Sequence, residues 1–456
     1  MVMKKNEHTI LIKNADYIVT MDKINNIFKN ASLFIVGDHI DELDTRQSRA
    51  DTVIDGRGKI VLPGFVNCHH HMFQCGLRGK PELQNQTIDK WIKIVCQFAQ
   101  HADEELIYYS SLANMAELLL YGCTTTSDMH YIFPKRKKNF IEATIRAAKD
   151  IGIRFHPYRG SLSLSRKDGA MFPDDVTQTP DAIVRETEDT IKKFHDDSPH
   201  SMLRIGIAPC TIFTSRREDY ENAATLSRKY NVNMQTHLSE SEFENDYSLR
   251  NFNQRPYQYL SDLGWNGERV SFTHCIHVNA DEIASLAKTK TNVVYCPISN
   301  AREPVGESGI APAWEMLKAK VNVGVGVDGS AGNDSSNMLE ELRWARTIQG
   351  ARSESTYLKS YDVLKMGTQG GAKVLRWDKD IGSLEKGKAA DIVLFNRHTI
   401  ESAGAIWDPV GSLIANQARR ANLVMVNGRV VVQDGKIQHV NEDVIVESLA
   451  RKVSSK

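Results

Sequence analysis

Hydrophobic and polar positions divide the chain into a β-rich start, a long alternating middle and a β-rich end. In residues 9–62, short apolar runs are broken by turn-prone clusters. Thr9–Ile12 and Tyr17–Thr20 flank Lys13-Asn14-Ala15-Asp16, Ala31–Val36 stops at Gly37-Asp38, and Val53–Asp55 stops at Gly56. These runs predict strands. Further on, β-type runs alternate with amphipathic helical stretches. Eight of them read as strands: 60–68, Cys123–Met129, Ile153–Tyr158, Leu203–Cys210, Val232–Leu238, Val270–Cys275, Asn292–Pro297 and Val321–Asp328. The stretch 103–120 predicts a helix stopping before Gly122, and 180–195 one capped by Thr179 with Pro180 at its first position. Asn279 and Glu282 form a capping-box pattern that opens another helix. Eight β-α units in succession predict an α/β protein with a parallel (β/α)8 TIM barrel.

After Val374 the strands return, with Gly387–Phe395 and a hairpin of Ala421–Val426 and Arg429–Val432 across Asn427-Gly428. Both ends being β-rich, one small β-sandwich domain formed from both termini is expected. The expected division is 1–62 plus 383–446 for the sandwich, 63–382 for the barrel and 447–456 for a C-terminal tail, with 451–456 frayed.

Active sites of such barrels lie at the C-terminal ends of the strands. Strand one ends in His69-His70-His71, and strand alternation puts His69 and His71 on one face and His70 on the other. An H-x-H pair alone holds no metal. Strand five adds His237 and, three residues on, Glu240; strand six adds His274; strand eight adds Asp328. His69, His71, His237 and Asp328 form an N3O donor set suited to one divalent ion, zinc or iron, with a position left for water. Such an ion brings the pKa of a water to roughly 7. Glu240 is placed to act as general acid/base, and His274 to hydrogen-bond the attacking oxygen. Each residue also has a plain alternative: a polar strand end, a turn-forming Asp before Gly-Ser, or a solvated acidic loop at Glu240, Glu242 and Glu244. Their coincidence at four strand ends of one barrel favours the chemical reading. His277 is expected to be structural, and His101, His195 and His200 to lie at the surface. Strand four has no lysine that could bridge two metals, and no H-E-x-x-H, phosphate loop or P-C-x-x-C occurs, so a single-metal site is expected.

Composition adds exclusions. Fifty-seven basic and 57 acidic residues give no net charge, so nucleic-acid and membrane surfaces are not expected. No run approaches the ~18 apolar residues of a membrane helix. Seven scattered cysteines without a C-x-x-C pair fit a reducing, cytoplasmic compartment.

These motifs resemble the amidohydrolase superfamily, in its cytosine-deaminase-like branch of mononuclear aminohydrolases. The likeness covers nearly the whole chain. It rests on Pro63-Gly64, His69-x-His71-x-x-Gln74, Thr236-His237-Leu238-x-Glu240, His274-Cys275, Cys296-Pro297-x-Ser299-Asn300, Gly326-Val327-Asp328-Gly329 and Gly382–Asp391. It implies that Glu240 protonates a substrate ring nitrogen and that His274 and Asp328 orient the attacking water. Asp328 would then pass a proton to the departing amine. The segments 163–169 and 329–334 look most like 8-oxoguanine deaminases. Similar segments occur in triazine hydrolases, as does Asp128-Met129-His130, which makes His130 a substrate-binding candidate beside Gln74. The expected reaction is hydrolytic deamination of an 8-oxoguanine- or guanine-like purine, with release of ammonia. The alternatives are displacement of chloride or an alkylamine from an s-triazine, and deamination of the adenosine or S-adenosylhomocysteine type. A ring-opening hydrolase and a non-catalytic binding barrel are more remote readings. The family habit implies a homodimer. The segment 301–308 reads as a long loop bordering the pocket.

Overall fold

The computed structural model describes residues 7–86, 88–135, 139–302, 309–352, 358–416 and 419–454. Most of the 301–308 loop, from 303 to 308, lies outside the described residues.

The middle of the chain closes into an eight-stranded parallel barrel. Its strands are β6 (Phe65–Asn67), β7 (Cys123–His130), β8 (Arg154–Ser161), β9 (Gly206–Pro209), β10 (Met234–Leu238), β11 (Val270–His274), β12 (Asn292–Tyr295) and β13 (Val323–Val325). They pair in chain order, and β13 closes on β6 through Val325 and Asn67. Every residue of these strands is buried, which is why they read as near-continuous runs rather than alternations. All eight barrel strands fall within the runs read from the sequence or overlap them. The predicted helices are present as Glu104–Leu120, Pro180–Phe194 and Ala280–Thr289. Thr179 and Asn279 act as their caps in the last two, and Glu282 completes the box on Asn279.

Both termini build a second sheet of nine strands. Its N-terminal members are β1 (Thr9–Val19), β2 (Ile27–Val36), β3 (His39–Leu43), β4 (Thr52–Asp55) and β5 (Lys59–Pro63). The C-terminal members are β14 (Ile392–Asn396), β15 (Leu423–Val426), β16 (Arg429–Gln433) and β17 (Lys436–Ile437). The two halves join where β5 pairs antiparallel with β14.

Three local expectations change. The run 60–68 is two strands, not one. β5 belongs to the terminal sheet and β6 to the barrel, and the chain passes between them at Gly64. The Gly64 N–H is held by the Asp391 carbonyl, and a Cβ there would sit 2.1 Å from the Thr124 hydroxyl. Residues 9–19 form one strand rather than two. Lys13–Ala15 is a bulge, with Asn14 at φ 57°, a conformation Asn tolerates. A helix, Glu442–Ser454, runs through 451–454, where fraying was expected; 455 and 456 lie outside the described residues. It packs on Glu104–Leu120, and Val453 lies against Gly76, five residues past His71.

The base of the barrel is fastened to the terminal sheet by a buried ion pair. Arg154, at the start of β8, donates Nε to Asp391 Oδ2 at 3.1 Å and Nη2 to Asp391 Oδ1 at 2.9 Å. Its remaining N–H groups reach the carbonyls of His200 and Ser201 and the side chain of Asn427.

Candidate active site

The opposite rim collects the predicted chemistry. β6 ends at Asn67, so His69 and His71 stand in the coil just beyond it. His237 lies in β10, His274 ends β11, and Asp328 follows β13 by three residues. All five are buried. Ser239 (φ 47°), His274 (73°), Cys275 (51°) and Asp328 (65°) are left-handed although none is glycine. Each such residue costs of order 1–3 kcal/mol, and strain of this kind gathers where side chains must be aimed.

Hydrogen bonds fix the imidazole tautomers. His71 Nδ1 lies 2.8 Å from the Met129 carbonyl and His237 Nδ1 2.8 Å from the Cys210 carbonyl, so each ring carries its proton on Nδ1. His69 Nδ1 lies 2.8 Å from Gln235 Oε1, while the Gln235 amide nitrogen donates to the Cys68 carbonyl and Ser271. Each ring therefore points a bare Nε2 lone pair inward. His71 Nε2 and His237 Nε2 are 3.3 Å apart. Asp328 Oδ1 lies 3.4 Å from His69 Nε2 and 3.5 Å from His71 Nε2, and His69 Nε2 has no hydrogen-bond partner. Protons do not relieve the crowding: burial, with His69 close by, pushes the His71 ring down to about 3, and burial holds His237 well below its usual value. Burial opposes ionisation of Asp328, but the His69 ring facing it holds its carboxyl well below the usual range. Three converging lone pairs and a carboxylate oxygen suit one cation in the space they face. The donor set His69, His71, His237 and Asp328 thus fits a divalent ion.

His274 is oriented differently. Its Nδ1 faces the Asn300 amide nitrogen at 2.9 Å and accepts, which leaves Nε2–H to point at Glu240 Oε1 (3.4 Å) and Asp328 Oδ2 (3.9 Å). Glu240, His274 and Asp328 therefore face one space beside the three imidazoles. That space is a cavity of about 70 Å³ whose walls are Trp91, Ile92, Tyr131, Phe172 and Phe213, with Cys210, Thr211 and Thr214 between them. Among the described residues no lysine or arginine lines it. A larger groove of about 850 Å³ runs along the loops after β7 and β8, and none of the predicted ligands lines it.

Gln74 is brought next to the site. Its Oε1 accepts the Ala331 N–H at 3.2 Å, and its buried Nε2 has no partner. A side chain at Gly329 would displace Gln74, since a Cβ there would meet Gln74 Oε1. His130 is not brought to the site. Its Nε2 lies 2.9 Å from the Ile132 carbonyl and its ring packs edge-on among Phe73, Phe133 and Phe140, while the next residue, Tyr131, reaches the cavity instead. His70 faces away and meets Ser336 at 2.9 Å. His277 pairs with Glu242; His101 is exposed, whereas His195 and His200 are half-buried rather than at the surface. The aromatic walls escaped the sequence reading. Phe213 and Thr214 could have been found from their place just after strand four; Trp91 and Phe172 carry no such signal.

A closed parallel barrel with histidines and a carboxylate on its C-terminal rim defines a class, the metal-dependent barrel hydrolases. The chain matches the Amidohydrolase family model over residues 60–431. It is 36% identical over 384 residues to the 8-oxoguanine deaminase of Pseudomonas aeruginosa, covering 84% of each chain. It is 33% identical over 406 residues to the hydroxydechloroatrazine ethylaminohydrolase of Pseudomonas sp. strain ADP, covering 87% of this chain and 82% of that one. The crystal structure of the atrazine chlorohydrolase of Arthrobacter aurescens TC1 complexed with zinc superposes with a TM-score of 0.93 at 30% identity, over 97% of this chain and 100% of that chain. The protein belongs to the amidohydrolase family, and it is a hydrolase of carbon–nitrogen bonds other than peptide bonds.

Proposed function

We propose that the protein is a metal-dependent deaminase of an amino-substituted nitrogen heterocycle, with an 8-oxoguanine- or guanine-like purine as its substrate. One observation carries the reading: Glu240, His274 and Asp328 face a single small aromatic-walled cavity beside three unprotonated imidazole nitrogens. The absence of lysine and arginine among the described lining residues disfavours phosphates and carboxylates and suits a flat, uncharged ring. The likeness to an 8-oxoguanine deaminase supports the purine.

A divalent ion held by His69, His71, His237 and Asp328, zinc in this reading, supplies Lewis acidity and a nucleophile from water at neutral pH. The rest falls to the side chains. The aromatic walls clamp the ring. Gln74 Nε2, a buried donor without a partner, is free to bond a ring acceptor. Glu240 takes one proton from the attacking water and gives it to a ring nitrogen, so that the amine-bearing carbon accepts attack. His274 Nε2–H steadies the incoming oxygen. Asp328 takes a proton from it and passes it to the amine, which leaves as ammonia. Water and the amino-heterocycle thus become the oxo-heterocycle and ammonia. His130 has no part, because its ring is committed elsewhere. The seven cysteines are all free and buried, which suits the reducing cytoplasm, and a homodimer belongs to the same reading.

The likeness to triazine enzymes favours a second reading, loss of chloride or an alkylamine from an s-triazine. Incubation with 8-oxoguanine, guanine, an adenosine derivative and hydroxyatrazine separates the two. Ammonia from the purines supports the proposal; alkylamine from hydroxyatrazine with no ammonia from any purine overturns it.

A further inference from the structure

The acid–base residue Glu240 sits on a turn, and a second, unassigned carboxyl group holds that turn. Glu244 is 1% exposed and belongs to the first turn of the helix Glu242–Phe252. Its side chain folds back so that Oε2 accepts the Glu240 backbone N–H at 3.0 Å, while its own N–H is capped by Ser241. Beside it, Ser239 donates to Asn245 at 3.1 Å. Two side chains of the helix thus tie down residues 239 and 240, where the backbone leaves β10 through a left-handed Ser239. We propose that Glu244 is a positioning residue for Glu240, its buried carboxyl group fixing the turn from which Glu240 reaches substrate.

The surroundings give this group a protonation state of its own. Its Oε1 is buried without a partner. Cys210, Cys275 and Tyr220 lie close, with the acids Glu240 and Glu282, and the cation Arg255 is bound to Glu282 at 2.9 Å. Burial first, with the charge of Glu240 added, pushes the Glu244 carboxyl up to about 8, against the backbone hydrogen bonds that favour ionisation. At neutral pH Glu244 is therefore an uncharged acceptor. Above about pH 8 a second negative charge develops behind Glu240 and opposes its giving up a proton to the substrate.

The inference rests on the acid–base role given to Glu240 above. Its test compares wild type, Glu244→Gln and Glu244→Ala, loaded with zinc, on whichever amino-heterocycle the wild type turns over. Glu244→Gln keeps a neutral acceptor of the same shape. It should hold kcat within about threefold at neutral pH and should lack the alkaline fall in kcat that the wild type shows over about pH 6–10. Glu244→Ala should lose about 10- to 100-fold in kcat, with KM and bound zinc nearly unchanged, because the glutamate is misplaced rather than the site emptied. Unchanged kcat in Glu244→Ala overturns the proposal. So does an alkaline limb that persists in Glu244→Gln, or a loss that follows zinc content. If Glu244→Ala does not fold, the Glu244→Gln profile decides alone. Infrared difference spectra need no substrate: the wild type at neutral pH should show the carbonyl band of a protonated carboxyl that Glu244→Gln lacks, and its absence overturns the proposal. If instead Glu240→Gln turns over at the wild-type rate, the role of Glu240 itself fails, a result separate from any outcome at Glu244.

Discussion

At the base of the barrel Arg154 and Asp391 bury opposite charges with every guanidinium N–H engaged. At the rim, three imidazoles and Asp328 are buried just as deeply, yet their lone pairs face one another at 3.3–3.5 Å and His69 Nε2 is left without a partner. Left-handed non-glycine residues occur at both places, His200 and Asn427 around Arg154 and Ser239, His274, Cys275 and Asp328 at the rim. The base is finished by its own residues and serves stability. The rim leaves converging donors unpaired, which in the proposed reading serve metal binding and chemistry.

The largest way to break the comparison is at the rim. Glu240→Gln should lower kcat by about 10²- to 10⁴-fold while zinc content stays at the wild-type level, measured by ammonia release and metal analysis on the same sample. The matching change at the base is Asp391→Ala, which strands a buried guanidinium and should cost about 3–5 kcal/mol in denaturant unfolding, with zinc content unaltered once folded. Zinc itself should stabilise the folded chain. At about 1,000 times its dissociation constant the gain is about 4 kcal/mol, read as a rise in Tm that His237→Ala abolishes.

The barrel was legible because each strand is a buried apolar run bounded by turns, and its site because the barrel itself says which end of each strand to inspect. What the sequence hid was set by tertiary contact. The run 60–68 reads as one strand, although Pro63-Gly64 interrupts it and the expected domain division falls at 62/63. That break exists because Thr124 and Asp391 crowd Gly64 from elsewhere in the chain. His70 does turn away, as alternation predicted, although β6 has already ended at Asn67 and coil carries the three histidines. A histidine among aromatics, as at His130, reads the same whether it faces a pocket or is packed between rings. Of the aromatic walls, Trp91 and Phe172 come from segments whose only signature is bulk.

Smaller effects sharpen the contrast. The Glu244 carboxyl titrates near 8 when folded against its usual 4.5, so folding takes up a proton between those values and stability falls as pH rises through them. Glu244→Gln removes that uptake. Its Tm should match the wild type below about pH 4.5 and exceed it by a growing margin toward pH 8. Smaller still, Asn279→Ala removes a helix cap and should cost about 1 kcal/mol in unfolding with no change in zinc content.

The account stands on the claim that the rim is built around one cation, and calorimetric titration of metal-stripped protein with zinc tests it most directly. One equivalent per chain should bind, and that binding should be lost in His237→Ala while the Asn279→Ala protein keeps it. No saturable uptake by the wild type, or the same uptake in His237→Ala, would contradict it.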